Sequence, residues 1–244
     1  MMRACQLFLS LALLCLCLSP ATTTDTPASD KARRRMRIVV ISDTHGGHEE
    51  LGVLDGDVLI HCGDVEHLFR VDPRAVGKID DWFGRQHFER IFVIGGNHDL
   101  GIEAMVRDGL SPLANATWLH DRAEVFKGIR FYGSSWVPML DGHAFFADDD
   151  RLKRAWAQIP DDTDVLITHT PPAGILDVSS SGMRLGCAHL ASRLAEISPR
   201  LHCFGHVHNS AGQRVVGTTT SLNASSVDSS FRIAHALILI DLAP

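Results

Sequence analysis

Five short β-branched runs in this chain are each followed at once by a side chain that can hold a metal ion, and no other feature narrows the fold as much. Residues 37–42 lead into Asp43-Thr44-His45, and 57–62 into Gly63-Asp64. Residues 90–95 lead into Gly96-Asn97-His98-Asp99, 164–168 into His169, and 201–204 into Gly205-His206-Val207-His208. Apolar runs of this length, rich in Val and Ile, read as strands buried on both faces, and so as parts of sheets covered by helices. Ligands of open α/β sheets collect outside the carboxyl ends of the strands. Five exits of this kind therefore point to one shared site.

The intervening text alternates helix and strand signals, an α/β pattern. Residues 73–86 open with Pro in a first helical turn and set Ala75, Ile79, Trp82 and Phe83 on one face. Short strands are expected at 117–119, 124–126 and 130–132, with Gly128 turning the last pair. Residues 148–159 read as a helix whose acidic start (Asp148, Asp149, Asp150) suits the macrodipole, which leaves that run no metal role. Another helix is expected at 188–197, and strands at 213–216, 218–222 and 233–242. No linker or repeat interrupts residues 37–244, which implies a single domain.

The polar ends decide the chemistry. Carboxylate, amide oxygen and imidazole together suit Mn, Fe or Zn and disfavour Ca. Period two along a strand would put Asp43 with His45, and His206 with His208, on one side. Asp43, His45, Asp64, Asn97, His169, His206 and His208 are too many donors for one tetrahedral ion, but they suit two divalent ions sharing a carboxylate. Fourteen His in 244 residues fit that demand. Residues 36–244 carry 18 basic and 27 acidic side chains, a field that repels nucleic-acid polymers.

Residues 1–21 read as a secretory signal peptide: Arg3 precedes a largely apolar stretch from 7 to 18, too short to span a bilayer, and small residues follow at 19–21. Residues 22–36 then read as a flexible basic linker. The sequons at Asn115 and Asn223 are compatible with entry into the secretory pathway. A start at Met36 would instead leave the protein cytoplasmic. Cys62, Cys187 and Cys203, odd in number and widely spaced, imply no disulfide framework.

Through Asp43-x-His45, Gly63-Asp64, Gly96-Asn97-His98-Asp99, His169 and Gly205-His206-x-His208, the chain resembles the calcineurin-like metallophosphoesterase superfamily. Residues 133–138, 168–174, 186–187 and 222–225 are similar to metallophosphoesterase-domain-containing proteins related to class III cyclic-nucleotide phosphodiesterases. The resemblance implies a four-layer α-β-β-α sandwich of two mixed sheets. It implies a first metal on Asp43, His45 and His208, a bridging Asp64, and a second metal on Asn97, His169 and His206. Some members carry Gly at the position of His206, so its presence here implies an active centre. His98 would protonate the leaving-group oxygen, with Asp99 orienting it, while a hydroxide shared by the two ions attacks a small phosphodiester, cyclic nucleotides favoured. Phosphomonoesters, phosphoproteins or a metal-bound regulatory role with little turnover are the alternatives.

Other candidates are weighed individually. Trp136 could stack a nucleobase or pack a loop, Arg184 could contact phosphate or water, and His67 with Glu66 could shape the substrate mouth. His61 and His202 lie inside strands and read as core histidines. His48, His87, His120, His143, His189 and His235 read as ordinary loop or surface residues.

Overall fold

The first strand shows how the chain is layered. β1 (Met36–Ile41) turns Met36, Ile38 and Val40 to one side and Val39 and Ile41 to the other, and both sides are buried. The computed structural model describes residues 35–67 and 74–243. The expected leader, most of the linker and Pro73 lie outside the described residues. β2 (Val58–His61), β3 (Arg90–Val93) and β4 (Thr117–Trp118) follow β1 in parallel, and β11 (Ile238–Leu242) closes the other edge antiparallel, in the order β11-β1-β2-β3-β4.

The second sheet runs β5-β6-β7-β8-β10-β9. It comprises β5 (Arg122–Phe126), β6 (Ile129–Ser134), β7 (Val165–Thr168), β8 (Leu201–Phe204), β9 (Gly212–Val216) and β10 (Thr219–Asn223). Its centre is parallel and its two edge pairs are antiparallel. The inner faces meet in one core, with Ile38, Val40, Ile60 and Phe92 from the first sheet and Phe131, Val165, Ile167 and Cys203 from the second.

Helices cover both outer faces. α1 (Ala75–Gly84) and α2 (Leu100–Arg107) bury Val76, Ile79, Trp82, Phe83 and Ile102 against Val39, Leu59 and Val93. α3 (Asp149–Ala157) and α4 (Ala188–Ile197) bury Leu152, Trp156, Leu190 and Leu194 against Tyr132 and Leu166. The result is the expected α-β-β-α sandwich of two mixed sheets. Asp148 caps α3 by accepting the Arg151 N–H at 2.8 Å.

Two local expectations need correction. In α1 the buried face uses Val76 where Ala75 was expected. The last strand begins at Ile238, while Ile233 makes only an isolated bridge to Val227. Helix α2 is not among the elements expected from the sequence, and two of its first N–H groups are capped from 35 and 36 residues away. The Glu66 carboxylate accepts from Gly101 N at 3.2 Å and Ile102 N at 2.8 Å. The Asn223 amide is buried and donates to the Leu176 and Val207 carbonyls, so that sequon is closed in the folded chain. No helix among the described residues is long and apolar enough to cross a membrane.

Candidate metal centre

Backbone shape, more than strand periodicity, aims the donors. Asp43, His45, Asp64 and His206 all have positive φ, at 53°, 43°, 55° and 68°. L-residues enter this left-handed region at a cost, and they do so mainly at functional sites. The period-two argument fails here because it requires extended backbone. His206 turns to Asn97, its Nδ1 lying 2.9 Å from Oδ1, while His208 turns to Asp43, with Nε2 3.4 Å from Oδ1.

The seven donors form two overlapping sets. In the first, His45 and His208 face each other with their Nε2 atoms 3.4 Å apart, and both sit beside Asp43. In the second, His169 Nε2 lies 3.0 Å from Asn97 Oδ1 and 3.4 Å from Asp64 Oδ2. Asp64 Oδ2 is also 3.8 Å from His45 Nε2, which puts this carboxylate between the sets. Asp43 likewise belongs to both close-packed triads, Asp43-His45-His208 and Asp43-Asp64-His169. Metal–ligand bonds of about 2.0–2.1 Å put neighbouring donors about 3.0–3.4 Å apart in octahedral or tetrahedral arrays. Most of the observed separations lie close to such polyhedron edges, so the residues fit a pair of divalent cations.

Electrostatics point the same way. Asp43 and Asp64 are buried, and among the described residues no Lys or Arg pairs with either. Buried charge needs compensation. Without a metal it falls to imidazole: burial opposes protonation of His169, yet the Asp64 carboxylate beside it pushes its pKa up to about 9. Burial also opposes protonation of His208, and its contact with Asp43 raises it. The same burial holds His45 below its ordinary value and His206 at about 3, leaving both as neutral rings with a lone pair to give. His169 Nδ1 lies 2.8 Å from the Cys62 carbonyl, which selects the tautomer whose Nε2 lone pair faces the site.

Two glycines hold the space that the carboxylates fill. A Cβ on Gly96 would strike Asp64 Oδ1 and come within 2.7 Å of His169 Cε1, and one on Gly205 would strike Asp43 Oδ2 and Ser42 Oγ. Asp99 locks the loops together. Its Oδ2 accepts from Asp64 N at 2.8 Å and Gly96 N at 2.7 Å, and its Oδ1 from Val65 N and Glu66 N, both at 2.9 Å. Its hydrogen bonds go to these backbone amides and none to the His98 ring. The structure therefore makes Asp99 the residue that positions the donor loops, not the orienter of His98.

Comparison with known proteins decides the family. The profile described as calcineurin-like phosphoesterase matches residues 36–210. The chain belongs to the calcineurin-like phosphoesterase family. Human metallophosphoesterase domain-containing protein 1 is 35% identical over 232 residues, covering 84% of this chain and 71% of that protein. The Caenorhabditis elegans UPF0046 protein K07C11.7 is 36% identical over 205 residues, covering 78% and 69%. The fold resembles the crystal structure of a phosphopantetheinyl hydrolase from Mycobacterium tuberculosis at a TM-score of 0.58 and 13% identity, covering 85% of this chain and 96% of that one. The family makes this chain a metal-dependent phosphoesterase.

In this phosphoesterase a cleft of about 260 Å³ opens over the donors, lined by Asp64, Asn97, His98, His206, His208 and Phe231 among others. The His98 ring stands 5.3 Å from that of His45, and burial lowers its pKa. Its backbone N–H donates to Asp64 Oδ1 at 2.8 Å.

Trp136 is not among the described residues lining this cleft. Its Nε1–H donates to Asp121 Oδ2 at 2.7 Å, and the Arg151 guanidinium lies 3.9 Å over its ring, so it packs a loop. Arg184 is 66% exposed and pairs with Asp177 at 2.8 Å. His67 is exposed and its ring lies against Gly46, whereas Glu66 is buried as the cap of α2 and is not at the mouth. His61 and His202 are buried core residues, bonded through Nε2 to the hydroxyls of Thr44 and Thr168 at 3.0 and 2.9 Å. Sequence reasoning missed Phe231, whose only local sign is an aromatic residue in a polar turn.

Proposed function

We propose that this phosphoesterase hydrolyses small phosphodiesters, cyclic nucleotides favoured, with two divalent ions held by Asp43, His45, Asp64, Asn97, His169, His206 and His208. The observation that carries the reading is the convergence of two overlapping donor sets beside one cleft, with buried carboxylates that have no Lys or Arg partner among the described residues. Divalent ions, when bound there, supply an ionised water as nucleophile and offset the charge of the phosphoryl oxygens. The mixed carboxylate, amide and imidazole donors suit Mn, Fe or Zn, and manganese is the ion used in the test below.

The chain's own residues do the rest. Asp64 sits between the two donor sets and holds His98 N–H at 2.8 Å, so the ring of His98 stands at the rim of the donor pair. From there His98 donates a proton to the departing oxygen, a role that matters most for strongly basic alkoxides. Asn97 Oδ1, facing His169 at 3.0 Å and His206 at 2.9 Å, keeps the second set compact.

The test is a panel of cyclic nucleotides, linear diesters and monoesters assayed with manganese-loaded protein. His98→Ala should keep both metal equivalents and lose turnover of alkyl-leaving-group diesters more than that of aryl ones. Equal losses would remove His98 from this role. A flat panel at full metal occupancy would end the enzymatic reading. We also read residues 1–21 as a secretory leader, tested by N-terminal sequencing of secreted protein; a terminus at Met36 inside the cell would end that reading.

A further inference from the structure

Phe231 is the one ring other than histidine among the described residues lining the cleft, whose neighbours there include Ser179, Ser180, Asn209 and Ser229. Its backbone stands at φ 58°, a conformation that a bulky residue adopts only when its surroundings impose it. Those surroundings are a clasp around Asp228. The Asp228 carbonyl accepts the Phe231 N–H at 3.0 Å, and the Asp228 N–H donates to the Arg232 carbonyl at 2.9 Å. The carboxylate accepts from Ser230 N at 2.8 Å and Arg232 N at 3.2 Å, while the Arg232 guanidinium reaches Oδ2 at 2.9 Å.

The clasp sets the phenyl ring in T-shaped contact with His45 at 5.2 Å and His208 at 5.0 Å, yet leaves Phe231 41% exposed. A residue needed only to complete a left-handed turn would be Gly or Asn. A strained, partly exposed phenyl beside two candidate ligands spends stability on a surface that a flat group can cover.

We propose that Phe231 is the specificity-determining ring of this cleft, stacking the nucleobase or other planar group of a ligand whose phosphate lies over the donors. The proposal rests on the phosphoesterase reading above. It gives Phe231 the part that Trp136 cannot take, since the Trp136 ring is covered by Arg151 and its N–H is taken by Asp121. Ser179, Ser180 and Ser229 line the same cleft and give the site of such a ligand a polar rim.

The experiment is calorimetric binding of inosine 5′-monophosphate and of ribose 5-phosphate to the manganese-loaded full chain. These ligands share a phosphate and a ribose and differ in the planar ring. Wild type should prefer the nucleotide by about tenfold, within the range that stacking of a base on an aromatic side chain provides. Phe231→Asn, which accepts the left-handed backbone, should erase that preference while metal content holds and the Tm stays level or rises. Phe231→Trp should keep the preference. Absence of discrimination in wild type, its survival in Phe231→Asn, or loss of metal together with the preference would each overturn the assignment. If discrimination depends on Phe231 but no diester is turned over, the diesterase reading falls and this one stands; turnover without discrimination gives the reverse.

Discussion

Acid should destabilise this protein in part through two buried histidines, His61 and His202, that hydrogen-bond no candidate ligand. Burial holds both His61 and His202 at about 3, against an ordinary value of 6.5. The Thr168 hydroxyl donates to the Thr170 carbonyl at 2.8 Å, so His202 Nε2–H must be the donor toward Thr168 Oγ1, and its buried Nδ1 has no partner. A proton added at Nδ1 would be an uncompensated buried charge. The unfolded chain takes up that proton as pH falls below about 6.5, and the folded chain does not until about 3. Stability is therefore intact above pH 6.5 and lost as pH drops through this window, at about 1.4 kcal/mol per unit for each ring.

At pH 5 the loss reaches about 2 kcal/mol per histidine and about 4 for the pair, a large part of the 5–15 kcal/mol typical of a domain. His202→Gln keeps a donor for Thr168 and removes the titration. Urea unfolding in chelator, so that metal displacement plays no part, should show the cost of this substitution shrinking by about 2 kcal/mol between pH 7.5 and pH 5. A cost that is the same at both pH values would refute the argument.

Three further outcomes follow from the site. Gly96→Ala forces a methyl onto Asp64 Oδ1 and the His169 ring, so elemental analysis under saturating manganese should return about one equivalent less than wild type; an unchanged count would refute the packing argument. Glu66→Ala leaves one buried and one half-buried N–H group of α2 without their acceptor and should cost about 1–3 kcal/mol in urea unfolding, whereas a neutral result would mean that the cap is dispensable. Removing metal from protein held at about a hundred times each dissociation constant should lower stability by about 2.7 kcal/mol per site, read as a fall in Tm on chelation, and no fall would deny metal any part in the fold.

Much of the layered fold was legible because its strands are buried on both faces, so Val/Ile runs such as 37–42 and 57–62 stand out, and their polar ends mark the edge where ligands gather. What failed was whatever depends on a partner remote in sequence. Helix α2 is short and is capped by Glu66, which no local pattern announces. Trp136 departs from its expected part for the same reason. A Trp in a polar loop invites a stacking role, but Asp121, 15 positions earlier, and Arg151, 15 positions later, occupy its N–H and its face. Asp99 follows His98 in the chain, yet its carboxylate faces the amides of residues 64–66 and 96. Adjacency in sequence said nothing about which way it pointed.

The candidate ligands share a physical predicament that ties function to folding. Four of them sit in left-handed backbone, and the two carboxylates are out of water without a Lys or Arg among the described residues. Each feature costs free energy in a chain left to itself. The offsets visible in the protein are local: the four amides on Asp99 tie the Asp64 loop to Gly96, the His206 N–H bonds Asp43 at 3.0 Å, and raised His169 and His208 lend positive charge. A divalent cation bound in each donor set would replace the borrowed protons with a fixed charge and turn strained donors into ligands. The contrast with His61 and His202 is instructive, since those rings lie behind the same strand exits, bond threonine hydroxyls instead of carboxylates, and stay neutral. What separates these two rings from the candidate donors is therefore the contact each makes, threonine hydroxyls for His61 and His202 and Asp43, Asp64 or Asn97 for the candidates, and not burial.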